Sequence, residues 1–124
     1  MLISLLLTAL ATFAQQQAPA EPAKPGPTVI NARLGGCAAD FTVTDADGKP
    51  IFDATVHVLI RYGFMSVKRM DLEVGTNADG KARVEGLPEK AKPLVYDITK
   101  GETKGTAAQN LQDECKATYA VTLK

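Results

Sequence analysis

The 124-residue chain has no tryptophan, one histidine (His57), two serines (Ser4 and Ser66) and two cysteines (Cys37 and Cys115). The side chains that attack carbonyls or relay protons are therefore scarce. Zinc needs several His or Cys ligands, and one His with two distant Cys cannot supply them. Lys plus Arg and Asp plus Glu number 14 each, so there is no net charge. No long run of one sign occurs, and nothing in the composition points to nucleic acid or an anionic membrane. Beyond Thr28, no window of a dozen residues shows a convincing helical period. The length allows one domain with a single core once the ends are trimmed.

An apolar run, Met1 to Ala14, opens the chain. As a helix it would span roughly 21 Å, short of the roughly 30 Å hydrocarbon core. It reads as a signal peptide over residues 1–14. Thr12 and Ala14 suit a peptidase site and Gln15 is the first mature residue, although no Lys or Arg precedes the run. A buried N-terminal helix or strand is the competing reading. Four prolines between Pro19 and Pro27 mark residues 15–28 as an extended linker. The folded domain is expected over 29–124, in a secreted or periplasmic protein with no stable membrane span after signal cleavage.

The domain alternates with period two. Phe41 and Val43 share a face, and so do Val56, Val58, Ile60 and Tyr62; Met70, Leu72 and Val74; Ala82 and Val84; Leu94, Tyr96 and Ile98; and Ala117, Tyr119, Val121 and Leu123. "TAAQNLQDEC" (106–115) reads as a strand or irregular crossing, with one or two helical turns as the alternative. Two near-copies of one turn, "TDADGK" (44–49) and "TNADGK" (76–81), punctuate the pattern. Asp45, Asp47 and Gly48, and Asn77, Asp79 and Gly80, are turn residues: the short polar side chains bond their own backbone and Gly takes positive φ. Calcium is the rival reading. In each stretch, however, the bidentate Glu position of a helix-loop-helix site falls on Ala54 or Gly86. Six or seven short strands with such turns make an all-β, antiparallel β-sandwich.

"FTVTDADGKPIFDATVHV", "GTNADGKARVEGLP" and "LVYDIT" together resemble the carboxypeptidase regulatory-like domain, over residues 39 to about 99. Pro50, Ile51 and Ala54 match its first motif. Thr76, Asp79, Gly80, Ala82, Val84, Leu87 and Pro88 match its second, with Asn77 where Asp is usual and "EKAKPLVY" in place of the usual lead into the next strand. The resemblance implies a seven-stranded Greek-key sandwich of transthyretin-like, immunoglobulin-like type that serves as an accessory module.

An exported chain with two cysteines more often pairs them, so a Cys37–Cys115 disulfide is expected, with unpaired or intermolecular thiols as the alternative. "LGGC" looks like a lipoprotein processing site but lies more than twenty residues beyond the apolar run. His57, Ser66 and Asp71 spell a hydrolase set, yet no Gly-x-Ser-x-Gly elbow holds the serine and His57 falls on an outward strand face. The buried Lys of an internal Lys–Asn cross-link, as in related adhesin domains, is missing from the inward positions. No catalytic residue, metal or cofactor is therefore expected.

Sugar platforms usually need exposed aromatics, and Tyr62, Tyr96 and Tyr119 all face inward. Tyr62, Phe64 and Met65 form a possible partner-contact loop, unless its tip folds back onto the sandwich end. The reading that follows is a non-enzymatic structural or protein-binding module at the cell envelope, with an unknown protein or glycan as partner. A carbohydrate-binding or adhesin module using loops 62–67 and 100–114 is the alternative.

Overall fold

The structure, a computed structural model, describes residues 27–124. The signal peptide expected over 1–14 and nearly all of the linker over 15–28 lie outside the described residues. Eight strands follow in chain order: β1 Thr28–Asn31, β2 Cys37–Thr44, β3 Thr55–Tyr62, β4 Lys68–Gly75, β5 Lys81–Leu87, β6 Leu94–Lys100, β7 Thr103–Gln109 and β8 Lys116–Thr122. A single 3-10 turn, Phe64–Ser66, lies between β3 and β4. The strands form two four-stranded sheets, ordered β1-β5-β2-β8 and β4-β3-β6-β7.

Alternation places the core between the sheets. Val56, Val58 and Ile60 from β3 and Tyr96 and Ile98 from β6 meet Phe41 and Val43 from β2 and Ala82 and Val84 from β5, all of them buried. An aromatic cluster fills the middle: the Phe41 and Tyr96 rings lie 4.6 Å apart edge to face, and Tyr119 stacks on Phe41 at 5.6 Å. In β2 the residues Cys37, Ala38 and Ala39 are all buried, because a register shift between Cys37 and Ala39 interrupts the pleat.

Two expectations about the sheets are revised. There are eight strands where seven were expected, and the sandwich is not purely antiparallel, since β1 runs parallel to β5 and β8 parallel to β2. The additional strand is β1; β7 overlaps the 106–115 stretch read as a strand or irregular crossing but runs from Thr103 to Gln109, and the sequences TVIN and TKGTAAQ carry little apolar alternation. Small residues in β7 serve packing: a Cβ on Gly105 would lie 2.6 Å from Val121 Cγ1. Lys104 and Lys124 exchange backbone hydrogen bonds at 3.2 and 3.1 Å, so β7 leans on the other sheet. On the opposite side the Thr28 hydroxyl donates to the Gly75 carbonyl.

The cysteines are joined. Cys37 and Cys115 form a disulfide with Cα atoms 4.6 Å apart, and the Ala38 amide donates to the Cys115 carbonyl at 2.7 Å. No described helix is long and apolar enough to cross a membrane.

Candidate functional site

β3 and β6 run side by side from Thr55↔Thr99 to Val58↔Tyr96, where their pairing ends although both strands continue. Beyond that point Leu94 and Val95 pair only with β7, and Leu59 to Tyr62 only with β4. The parted strands open a surface cleft of about 420 Å³ on the outer face of the second sheet, lined by His57, Leu59, Arg61, Lys92, Pro93, Leu94, Val95 and Asp97. Its volume falls in the lower part of the range of small-molecule sites.

The cleft is electrically two-ended. Arg61 and Lys92 stand at one end. At the other, His57 lies opposite Asp97 on β6 and Glu73 on β4. Arg61 is four residues beyond His57, about 13 Å along an extended strand, and Leu59, Pro93 and Val95 give the stretch between them an apolar wall. The His57 Nε2 lies 3.0 Å from Asp71 Oδ1. A carboxylate only accepts hydrogen bonds, so Nε2 carries the proton and Nδ1 is the acceptor side of the neutral ring.

Of the hydrolase set, the fold brings His57 and Asp71 together and leaves out Ser66. That serine lies in the 3-10 turn beyond the end of β3, nine residues along the chain from His57. The sequence reading passed over the cleft because its cations and its wall lie on separate segments. One signal was available: Leu59, half-buried on the outward face between His57 and Arg61, is an apolar residue without a core to face.

The two Asp-Gly turns are near replicas. In the first, Asp45 Oδ1 accepts from the amides of Asp47 and Lys49 at 2.9 and 3.0 Å; in the second, Asn77 Oδ1 accepts from Asp79 and Lys81, both at 2.9 Å. Gly48 and Gly80 take φ of 82° and 72°. The turns lie side by side at one end of the sandwich, with the Val43 amide donating to the Gly80 carbonyl at 2.7 Å. Loop 62–67 is at the opposite end. The loop at 110–115 shares that opposite end, because Leu94 pairs with Gln109, but the β6–β7 turn at 100–103 belongs with the Asp-Gly turns. The stretch 100–114 of the alternative reading is therefore not one loop: 103–109 are strand β7, and only 110–114 lie at the end of loop 62–67. Within the contact loop, Tyr62 is half-buried while Phe64 and Met65 are 85% and 80% exposed.

A buried glutamine was not anticipated. Gln109 accepts from the Tyr96 hydroxyl at 2.6 Å and donates to the carbonyls of Ala38 and Glu114 at 3.1 and 2.7 Å. Burial pushes the Tyr96 phenol well above its ordinary pKa of 10.0. Tyr119 is raised to about 12, first by burial and then by its hydrogen bond to Glu114.

No family model matches the chain, and no curated protein matches it. Solved structures do. Catechol 1,2-dioxygenase from Pseudomonas arvilla C-1 aligns with a TM-score of 0.51 at 13% identity, over 80% of this chain and 59% of that one. The mercury-inhibited catechol 1,2-dioxygenase from Acinetobacter sp. ADP1 aligns with a TM-score of 0.50 at 14% identity, over 78% and 57%. The chain thus spans less than three fifths of the length of these enzymes, and the likeness is one of fold.

This corrects the resemblance to the carboxypeptidase regulatory-like domain. Strand-ending Asp-Gly turns are a local solution that unrelated sandwiches share, and the two solved structures just described are dioxygenases. The reading as a non-enzymatic structural or binding module, with its carbohydrate-binding alternative, falls with it, because the fold is one on which enzymes are built. Dioxygen chemistry is carried by metals or redox cofactors. The donor set here does not suit a metal: among the described residues no group of three His, Cys, Asp or Glu side chains is placed to hold a metal ion, and both cysteines are in the disulfide.

Proposed function

We propose that the β3–β6 cleft binds a small organic anion. Arg61 and Lys92 take the acid group, Leu59, Pro93 and Val95 cover an apolar body, and His57, oriented by Asp71, offers a proton acceptor to the far end of the ligand. The observation that carries this reading is the parting of β3 from β6 after Val58↔Tyr96, which opens a cavity where a continuous sheet would have none. A charge-assisted hydrogen bond contributes about 1.5–3 kcal/mol, so Arg61→Gln should weaken binding by roughly 10- to 100-fold. Calorimetric titration with benzoate, decanoate and inorganic phosphate, and with catechol as the substrate named for the structural neighbours, tests the site. Tighter binding of the carboxylates than of phosphate, lost in Arg61→Gln, is the expected result. Equal binding by wild type and variant would remove the site.

Export is part of the proposal: a signal peptide over 1–14 and a linker over 15–28 deliver the domain to an oxidising compartment. The intramolecular disulfide supports this, since such bonds persist outside reducing cytosol.

A further inference from the structure

We propose that the β3–β4 loop is a membrane-surface anchor that inserts its apolar tip into an anionic bilayer. Phe64, Met65 and Val67 are 85%, 80% and 73% exposed, three consecutive large apolar positions but for Ser66. The backbone holds them outward: Met65 and Ser66 both take φ near +55°, a conformation that costs non-glycine residues energy. No described core residue covers the tip.

Around it the fold gathers cations from three segments. Tyr62 pairs with Lys68 and Arg61 with Arg69 across β3 and β4. Lys68 lies against Gly63, where a Cβ would be 3.4 Å from its Cδ. From the β5–β6 loop, Lys90 lines a cavity with Tyr62 and Gly63, and Lys92 lines the cleft with Arg61. Glu89 is the one acid in that loop.

Arg61 and Arg69 face each other on the outer surface, and neither forms a salt bridge with any described residue. Like charges directly opposite destabilise a sheet. Arg83, by contrast, lies 2.7 Å from Asp40 and 3.1 Å from Glu85. Five cations thus gather around the tip on three segments with Glu89 beside them, while Asp113 and Glu114 belong to the 110–115 loop of the same end.

The occupant follows from this charge and shape. A projecting apolar tip with a cationic collar matches a bilayer whose surface is negative and whose interior accepts apolar side chains at any orientation. A protein partner would have to supply a pocket for the tip with an acidic rim around it.

Because the chain has no tryptophan, Phe64→Trp in the full chain is a unique reporter of the tip. The apolar run at residues 1–14 does not confuse it, since attachment there leaves residue 64 in water. The vesicles are equal parts phosphatidylglycerol and phosphatidylcholine, with pure phosphatidylcholine as control. The expected result is a blue-shifted tryptophan emission, quenched by brominated acyl chains, with the anionic vesicles at low salt and little change with the neutral ones. Each surface cation contributes about fivefold to partitioning, so Lys68→Gln with Arg69→Gln should lower it about 25-fold. Unshifted emission with anionic vesicles would overturn the proposal, as would equal shifts with both vesicle types. A shift that grows with protein concentration in the absence of vesicles would assign the tip to a second copy of the chain instead. The cleft ligand is tested separately through Arg61→Gln, so either reading can fail alone.

Discussion

Gly48 and Gly80 occupy the same place in two copies of the sequence Ala-Asp-Gly-Lys, and replacing each by alanine should separate local strain from packing. Both have positive φ, 82° and 72°, so alanine costs each about 1 kcal/mol of backbone strain. There the likeness ends. A Cβ on Gly48 meets nothing within 4 Å, whereas one on Gly80 overlaps the Val43 carbonyl and lies 3.2 Å from the Ile51 amide and the Pro50 Cβ. Accommodating it means moving β2 away from the turn. That weakens the hydrogen bonds from the Val43 amide to Gly80 at 2.7 Å and from the Ile51 amide to Val43 at 3.0 Å. With the strain, lost hydrogen bonds at about 1 kcal/mol each and an overpacking cost of about 1–3 kcal/mol bring Gly80→Ala to about 4–6 kcal/mol. Urea unfolding followed by circular dichroism is the assay. With a slope of roughly 1.5 kcal/mol/M, Gly48→Ala shifts the midpoint by under about 1 M and Gly80→Ala by about 3–4 M. Equal shifts for the two variants would refute the reasoning, because the turns would then be independent of the strands beside them.

Removing the disulfide by Cys37→Ser with Cys115→Ser should destabilise the fold by up to about 4.5 kcal/mol, since 78 residues separate the two cysteines; thiol titration of the unfolded wild type should find no free thiol before reduction. Gln109→Ala leaves the Tyr96 hydroxyl, the buried Ala38 carbonyl and the partly buried Glu114 carbonyl without this partner, at a cost of about 2–4 kcal/mol, against little change for Gln112→Ala on the exposed turn. Alkali should unfold the protein. Tyr119 and Tyr96 keep their protons in the folded state above the ordinary 10.0, so the stability they contribute is complete below pH 10 and is lost as pH rises towards about 12. Phenolate absorbance should therefore appear together with loss of the near-ultraviolet dichroism, and ionisation of all tyrosines near pH 10 with the fold intact would contradict the buried cluster.

The sandwich was legible because inward residues recur with period two: Val56, Val58 and Ile60 are buried, with Tyr62 half-buried at the end of that series, and so are Leu94, Tyr96 and Ile98. The turns were legible because Asp, Asn and Gly act on their own backbone. β1 was not, and β7 only in its second half, since an edge strand of small or polar residues draws its order from a neighbour rather than from its own composition. Parallel pairing of β2 with β8 also left no local trace, although the cysteines flanking those strands pointed to their proximity. The cationic end was invisible for a related reason. Arg61, Lys68, Arg69, Lys90 and Lys92 lie on three segments of a neutral chain, and only the β3–β4 register and the β5–β6 loop bring them together. Gln109 looked like any polar residue near a strand end; its burial follows from the closure of β7 against β8.

The staple between Cys37 and Cys115 also decides how the molecule responds to tension. A force applied outside the two cysteines enters at one sulfur and leaves at the other, bypassing the 78-residue span that holds six of the eight strands. Only β1 and β8 can be peeled away, while roughly 260 Å of potential extension stays hidden. The oxidised domain is thus an almost inextensible link in whatever lies on either side of it, and a reductant converts it into a long tether.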